Sequence, residues 1–146
     1  MDVFKLVGDK TGVANMLGKQ GAVYFNQGDE AKFLALLLQS LKMAEAIGDV
    51  LRFLTPLSNI GAVYLNKTAT YQKALEYFLR LYKLSLAIPD TYPIGFSTAN
   101  LGETCYKMGD DSTALFYLNQ SLKAYQGTED LPYSINYICR CIFYAA

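Results

Sequence analysis

Histidine is missing altogether from the 146 residues. That absence removes the Ser-His and Cys-His nucleophile pairs, every His-containing zinc site and the commonest general acid/base at neutral pH. Charge is scarce and balanced: 18% of residues are charged, 13 of them basic and 13 acidic. Such a chain lacks the overall basic field that nucleic-acid binding usually needs, and its 52% hydrophobic content is too high for a disordered tail. Long apolar runs are also lacking. The longest stretch without a charge, Phe53 to Asn66, interrupts itself with Pro56 and Asn59, and it falls short of the ~20 apolar residues that cross a bilayer. Three cysteines are too few and too odd in number for a disulfide framework and fit free thiols in a reducing compartment. The start, Met1-Asp2-Val3-Phe4-Lys5-Leu6, has neither the basic nor the apolar region of a secretory signal. Cytoplasm is the expected location, with the proviso that a piece cut from a longer protein would carry no address of its own. The glycines form no phosphate-cradling pattern; the nearest pair, Gly8 and Gly12, leads into Val13. No cofactor and no metal are expected.

What is present is a repeat. Gly21-Ala22-Val23-Tyr24 returns as Gly61-Ala62-Val63-Tyr64, 40 residues on, and Asn59-Ile60-Gly61 returns as Asn100-Leu101-Gly102 after 41. Gln39-Ser40-Leu41-Lys42 returns as Gln120-Ser121-Leu122-Lys123, with Leu81-Tyr82-Lys83 between them. A third block carries Asp9, Asp49, Asp90 and Asp130 in the same register. Fixed spacing over this range is the signature of a solenoid unit.

Within each unit the period is helical. Ala74, Phe78 and Leu81 recur at i, i+4 and i+7, while Gln72, Lys73, Glu76, Arg80 and Lys83 hold the other face. The first half of the unit places Gly and Ala among apolar residues, which lets a second helix approach closely. Asn26-Gln27-Gly28-Asp29, Asn66-Lys67-Thr68-Ala69-Thr70 and Met108-Gly109-Asp110-Asp111 are turn and cap formers between the halves. Each unit therefore reads as helix, short turn, helix, and strand signals are absent. The periodic Asp residues stand where they would cap the first helix of the next unit, with Pro93 and Pro132 in first turns. Pro56 either kinks its helix or marks a later start.

The run Leu101-Gly102-x-x-Cys105-Tyr106-x-x-Gly109-Asp110-x-x-x-Ala114-x-x-x-Leu118 closely resembles the tetratricopeptide repeat. The middle unit resembles it through Gly61, Tyr64, Ala74 and Phe78, with one residue added in the turn; the first keeps Gly21, Tyr24 and Gly28 but has Phe33 in place of the small Ala. Its helix pair should pack less closely. The period and the ending Ala44-Glu45-Ala46-Ile47-Gly48-Asp49 look like the long-repeat subgroup of G-protein-signalling adaptors and bacterial signalling regulators. The resemblance implies an all-α fold: a right-handed superhelical array of antiparallel helix pairs, about three full repeats with partial ones at both ends. The expected limits are 1–9 for the end of a preceding repeat, 10–49, 50–90 and 91–130 for the repeats, and 131–146 for the first helix of an incomplete one.

In such arrays the first helices line a concave groove that takes an extended or helical peptide. By register the groove positions are Gly18, Ala22, Phe25 and Asn26; Ser58, Ala62, Leu65 and Asn66; and Ala99, Glu103, Tyr106 and Lys107. Phe25, Leu65 and Tyr106 would form an apolar stripe there or belong partly to the core. Only Lys107 is basic among these positions, so the basic clamp for a C-terminal carboxylate is missing. Asn59 and Asn100 would bond either a peptide backbone or a neighbouring repeat. Cys105, in the place of the repeat tyrosine, reads as core, and Cys139-x-Cys141 offers too few ligands for zinc. Tyr77, Tyr82, Tyr117 and Tyr125 stand at core spacing.

The function expected is a non-catalytic interaction module that binds a protein or peptide partner, with no nucleic acid and no membrane, as the regulatory or scaffolding part of a larger signalling protein. The alternative is a sensory or regulatory fragment whose kinase, cyclase or DNA-binding output domain lies outside these residues. A third reading, an enzyme built on the array with Glu103, Tyr106 and Lys107, is explained more simply by solvated charges. The segment after 131 carries Tyr137, Phe143 and Tyr144 on the side away from the preceding helix, so a homodimer through the C-terminal helix is a further expectation.

Overall fold

The computed structural model describes residues 20–126, residue 22 excepted. Helix α1 spans Glu30–Ile47, α2 Leu51–Tyr64, α3 Tyr71–Ser85, α4 Tyr92–Lys107 and α5 Asp111–Tyr125. A 3-10 turn, Thr68–Thr70, leads into α3, and residues 23–26 close a helix that comes before α1. Among the described residues there is no strand. The chain falls into two compact units, Met1–Val63 and Tyr64–Ala146.

The turns explain why helices start and stop where they do. In the first unit Asp29 N–H donates to Tyr24 C=O at 3.0 Å and Gly28 N–H to Phe25 C=O at 3.0 Å. In the second unit Asp110 N–H donates to Cys105 C=O at 2.9 Å and Gly109 N–H to Tyr106 C=O at 3.0 Å. This paired pattern needs a left-handed residue, and Gly28 and Gly109 supply it with φ of 74° and 83°. The next residue then turns round and caps. Asp29 Oδ1 accepts from Lys32 N–H at 3.1 Å, and Asp110 Oδ1 from Thr113 N–H at 3.1 Å. The added residue before α3 removes the Gly-Asp pair, and Thr70 takes over: its hydroxyl donates to Tyr64 C=O at 2.6 Å and lies 3.1 Å from Lys67 C=O.

The periodic aspartates cap as expected where they are described. Asp49 Oδ1 accepts from Leu51 N–H at 3.1 Å and Asp90 Oδ1 from Tyr92 N–H at 2.9 Å. Asp9, Asp130 and Pro132 lie outside the described residues. Pro93 sits in the first turn of α4. Pro56 does not mark a later start: α2 begins at Leu51 and continues through it. Lacking an N–H, Pro56 leaves the Arg52 carbonyl without its helical donor.

In the first unit Phe33, Leu37, Leu41 and Ala44 of α1 and Leu57, Ile60 and Val63 of α2 are buried. A Cβ at Gly21 would lie 3.3 Å from the Phe33 ring, with no backbone atom among its three nearest neighbours. In the second unit the same test at Gly102 meets Leu118 Cγ at 2.6 Å and the Ala114 carbonyl oxygen at 3.2 Å. Phe33 thus holds its helix farther off than Ala114 does, as the residue sizes predict.

The α4–α5 pair has a second close approach that the repeat pattern does not announce. The Tyr125 ring lies over Gly95, 2.6 Å from where a Cβ would be, and the buried Ser121 hydroxyl donates to Gly95 C=O at 2.8 Å. Gly95 and Gly102 are seven residues apart, two turns on one face, and they meet Tyr125, Ser121, Leu118 and Ala114 in order. Other buried hydroxyls are satisfied within their own helices, Thr98 on Ile94 C=O at 2.7 Å, Thr104 on Asn100 C=O at 2.7 Å and Ser85 on Leu81 C=O at 2.8 Å. Asn100 bonds inside α4 as well, its amide donating to Phe96 C=O at 2.8 Å. That bond is neither of the two expected for it.

Candidate functional site

On α4, Tyr92, Phe96, Ala99, Glu103 and Tyr106 follow one another at steps of four, three, four and three, so they share one face. Tyr92 is half exposed, and its ring is stacked on Phe96 at 6.3 Å with 10° between the planes. It also leans on Tyr125 at 5.8 Å. Ala99 is buried and gives the face a shallow middle. Beyond it Glu103 and Lys107 form an i, i+4 ion pair at 3.4 Å, beside the partly exposed Tyr106. The result is an aromatic end and a charge-neutral polar end.

The register positions fare differently when each is located. Phe25 is 62% exposed, resting one side of its ring on Phe33 at 5.1 Å, and Asn26 and Ala62 are exposed in the same unit. In the second unit Asn66 is exposed, whereas Leu65 is 7% exposed. Leu65 therefore belongs to the packing and not to an open stripe. Its side chain has no polar tip to keep wet, and burying a leucine gains about 1.5–3 kcal/mol; Tyr106 stays partly exposed. Gly18 and Ala22, and the proposed contact residues Tyr137, Phe143 and Tyr144, lie outside the described residues, as do Cys139 and Cys141.

Tyr92 and Phe96 were missed by the register argument. The signal was available, because both continue the Ala99–Glu103–Tyr106 face back to the helix start. Also missed were two repeat-related pairs: Lys32 Nζ lies 5.4 Å from the Tyr24 ring centroid, and Lys73 Nζ 5.3 Å from that of Tyr64. Tyr64 is stacked on Tyr77 at 5.7 Å as well.

Among the described residues electrostatics mark no reactive group. Cys105 is buried, and burial first, then the charge of Asp110, pushes its thiol above the ordinary value, so it stays protonated at neutral pH. Tyr117 is raised by burial, with Cys105 and Tyr82 adding to it. Of the four tyrosines at core spacing Tyr125 is buried, while Tyr77, Tyr82 and Tyr117 are half-buried. Lys107, the one basic groove position, already has Glu103 as a partner. Among the described residues no group of three or more His, Cys, Asp or Glu side chains stands ready for a metal ion, and no helix is long and apolar enough to cross a membrane.

Two helix pairs joined by Gly-Asp turns, each with a glycine of its first helix against the second, define a helical-repeat protein. The tetratricopeptide repeat family model matches residues 52–127, more than half of the chain, and the chain belongs to that family. The TPR domain of Arabidopsis FLU has a similar structure, with a TM-score of 0.70 over 80% of this chain and 98% of that one, at 15% identity. No curated protein sequence matches the chain at a significant level.

Proposed function

We propose that the chain is a non-catalytic protein-interaction module whose first-helix faces take an extended or helical peptide from a partner. The observation that carries this reading is the face of α4. It leaves the stacked Tyr92–Phe96 pair and Tyr106 in reach of a ligand, beside a Glu103–Lys107 pair that can accept and donate hydrogen bonds. Aromatic side chains offer large contact area with little entropy to lose. Because Lys107 is already paired, a ligand held mainly through a free C-terminal carboxylate fits poorly. A peptide that lays apolar side chains on the rings and its backbone along Glu103 and Tyr106 fits well. In the first unit Phe25, Asn26 and Ala62 offer the equivalent surface. The module would serve as the regulatory or scaffolding part of a larger signalling protein, in keeping with the long-repeat ending at Ala44–Asp49.

A photo-crosslinking amino acid placed at Tyr106 tests the reading in cell extract. A polypeptide partner crosslinked there, and lost when Tyr92 and Phe96 are both replaced by Ala with helicity intact, supports it. If the captured partner binds the Tyr92→Ala/Phe96→Ala/Tyr106→Ala variant as tightly as the unaltered chain, the reading fails.

A further inference from the structure

The second helices carry a lysine in strict register. Lys42, Lys83 and Lys123 follow one another after 41 and 40 residues, all three are exposed, and none has an ion-pair partner among the described residues. Lysines near helix C-termini are commonly explained by the helix dipole. That explanation suits Lys83 and Lys123, which stand in the last turns of α3 and α5, but not Lys42, since the last turn of α1 holds no basic residue. Register, not distance from the helix end, is what the three share.

In the second unit side chains of α3 and α5 meet at this level. Tyr82 donates its hydroxyl to Gln120 Oε1 at 3.1 Å, and its ring meets Tyr117 edge-on at 6.3 Å. The buried stripes, Ala74–Phe78–Leu81–Ser85 on α3 and Ala114–Leu118–Ser121–Tyr125 on α5, fix the opposite faces as outer. Lys83 and Lys123 lie on those outer faces, two turns beyond Glu76 and Phe116. Phe116 is 58% exposed at a position that the other repeats fill with the exposed Glu76 and Ala35. Leu86, one turn beyond Lys83, is 58% exposed where the other repeats have Glu45 and Gln126. Two apolar side chains have thus replaced polar or small ones at solvent-facing positions of one unit, beside two unpaired ammonium groups.

We propose that the outer face of α3 and α5 is a second binding surface, separate from the α4 face, and that it takes an acidic peptide segment carrying leucine-like side chains. Lys83 and Lys123 pair with carboxylates, Phe116 and Leu86, about three turns apart along the helices, each cover one apolar side chain, and the Gln120 amide is placed to meet the peptide backbone. Helices that meet through the Tyr82 side chain lie at least as far apart as packed ones, about 8–10 Å, which an extended chain spans in three or more residues at about 3.3 Å each, so acidic residues three or four apart fit the two lysines. With overall charge balanced, long-range attraction is weak. Binding must then come from the short-range apolar contact as much as from charge, and that separates a peptide from a nucleic acid.

The probe is a blocked peptide of three Gly-Asp-Leu-Glu repeats, titrated into the full chain labelled with nitrogen-15. Shifts are expected at Lys83, Leu86, Phe116 and Lys123, with the Gly-Asn-Leu-Gln version bound about tenfold more weakly. Lys83→Glu/Lys123→Glu should lose the acidic peptide and gain a Gly-Lys-Leu-Lys one, Phe116→Ser should weaken both, and Tyr92→Ala/Tyr106→Ala should change neither. Since Lys83, Tyr92, Phe116 and Lys123 are exposed and Tyr106 is partly so, circular dichroism should stay that of the unaltered chain. The proposal is overturned if no shifts appear on this face, if the neutral peptide binds equally well, if the charge reversal leaves binding unchanged, or if oligothymidylate gives the same shifts.

Discussion

The ammonium of Lys73 lies over the ring of Tyr64, 5.3 Å from its centroid. The contact is a repeat property: one unit earlier Lys32 lies 5.4 Å from the ring of Tyr24, with Asp29 added as an ion-pair partner at 3.0 Å. In the third repeat the two positions hold Cys105 and Thr113, so ring and cation are replaced together. Neither half alone would gain from staying.

That pairing predicts a measurable coupling. In a double-mutant cycle with Tyr64→Leu and Lys73→Met, the interaction energy should be about 0.5–1 kcal/mol for an exposed cation and ring. Urea unfolding of the four proteins measures it. Additive single changes would show that the lysine merely passes over the ring.

Acid should weaken the chain through its caps. Hydrogen bonds from the Lys32 and Thr113 residues hold Asp29 and Asp110 below the ordinary carboxylate value of 3.8. A folded-state value below the unfolded one means stability that is present above the unfolded value and lost as pH falls through the folded one. Melting temperature should therefore be level from about pH 7 to 5 and drop below about pH 4. The Asp29→Asn/Asp110→Asn variant, which still caps but does not titrate, should melt lower at neutral pH and show a smaller acid drop. An identical acid drop would place the titrating groups elsewhere.

Much of this fold was legible because helix signals are local and the repeat multiplied them. Gly28-Asp29 and Gly109-Asp110 announce a left-handed residue followed by a cap, and Asp49 and Asp90 announce the next start; each acts within five residues. Contacts between helices were less legible, since a single register says which face is apolar but not what lies across from it. Comparing the repeats at paired positions would have gone further. Leu54 and Ser85 of the middle unit become Gly95 and Tyr125 in the third, a large-for-small exchange that marks the Gly95–Tyr125 contact. Leu65 was left open between groove and core, and Asn100 between a peptide and a neighbouring repeat, for a different reason: burial and an intrahelical bond at one residue depend on packing that no period encodes.

Cys105 should be inert while the chain is folded. Its thiol is buried and kept protonated, so the thiolate that reacts with iodoacetamide forms only on opening. Peptide mapping at mildly alkaline pH should find alkylation at Cys105 about a hundredfold or more slower than in urea. Comparable rates would mean that the α4–α5 pair opens readily.

Gly95→Ala and Gly102→Ala should both destabilise, although alanine is the better helix former by about 1 kcal/mol. A Cβ at Gly95 would lie 2.6 Å from the Tyr125 ring, and one at Gly102 would lie 2.6 Å from Leu118 Cγ and 3.2 Å from the Ala114 carbonyl oxygen. Overpacking of this kind costs about 1–3 kcal/mol, so the propensity gain is outweighed. The two sites should differ in how they can be relieved. At Gly95 the obstacle is a side chain, and adding Tyr125→Leu should make the double change less costly than the sum of the singles. At Gly102 a backbone oxygen stands behind the side chain, and Leu118→Ala would also forfeit about 2–5 kcal/mol of core packing. No comparable relief should follow there. Equal relief at both sites would mean that α5 can shift along α4, and the close approach would then be adjustable.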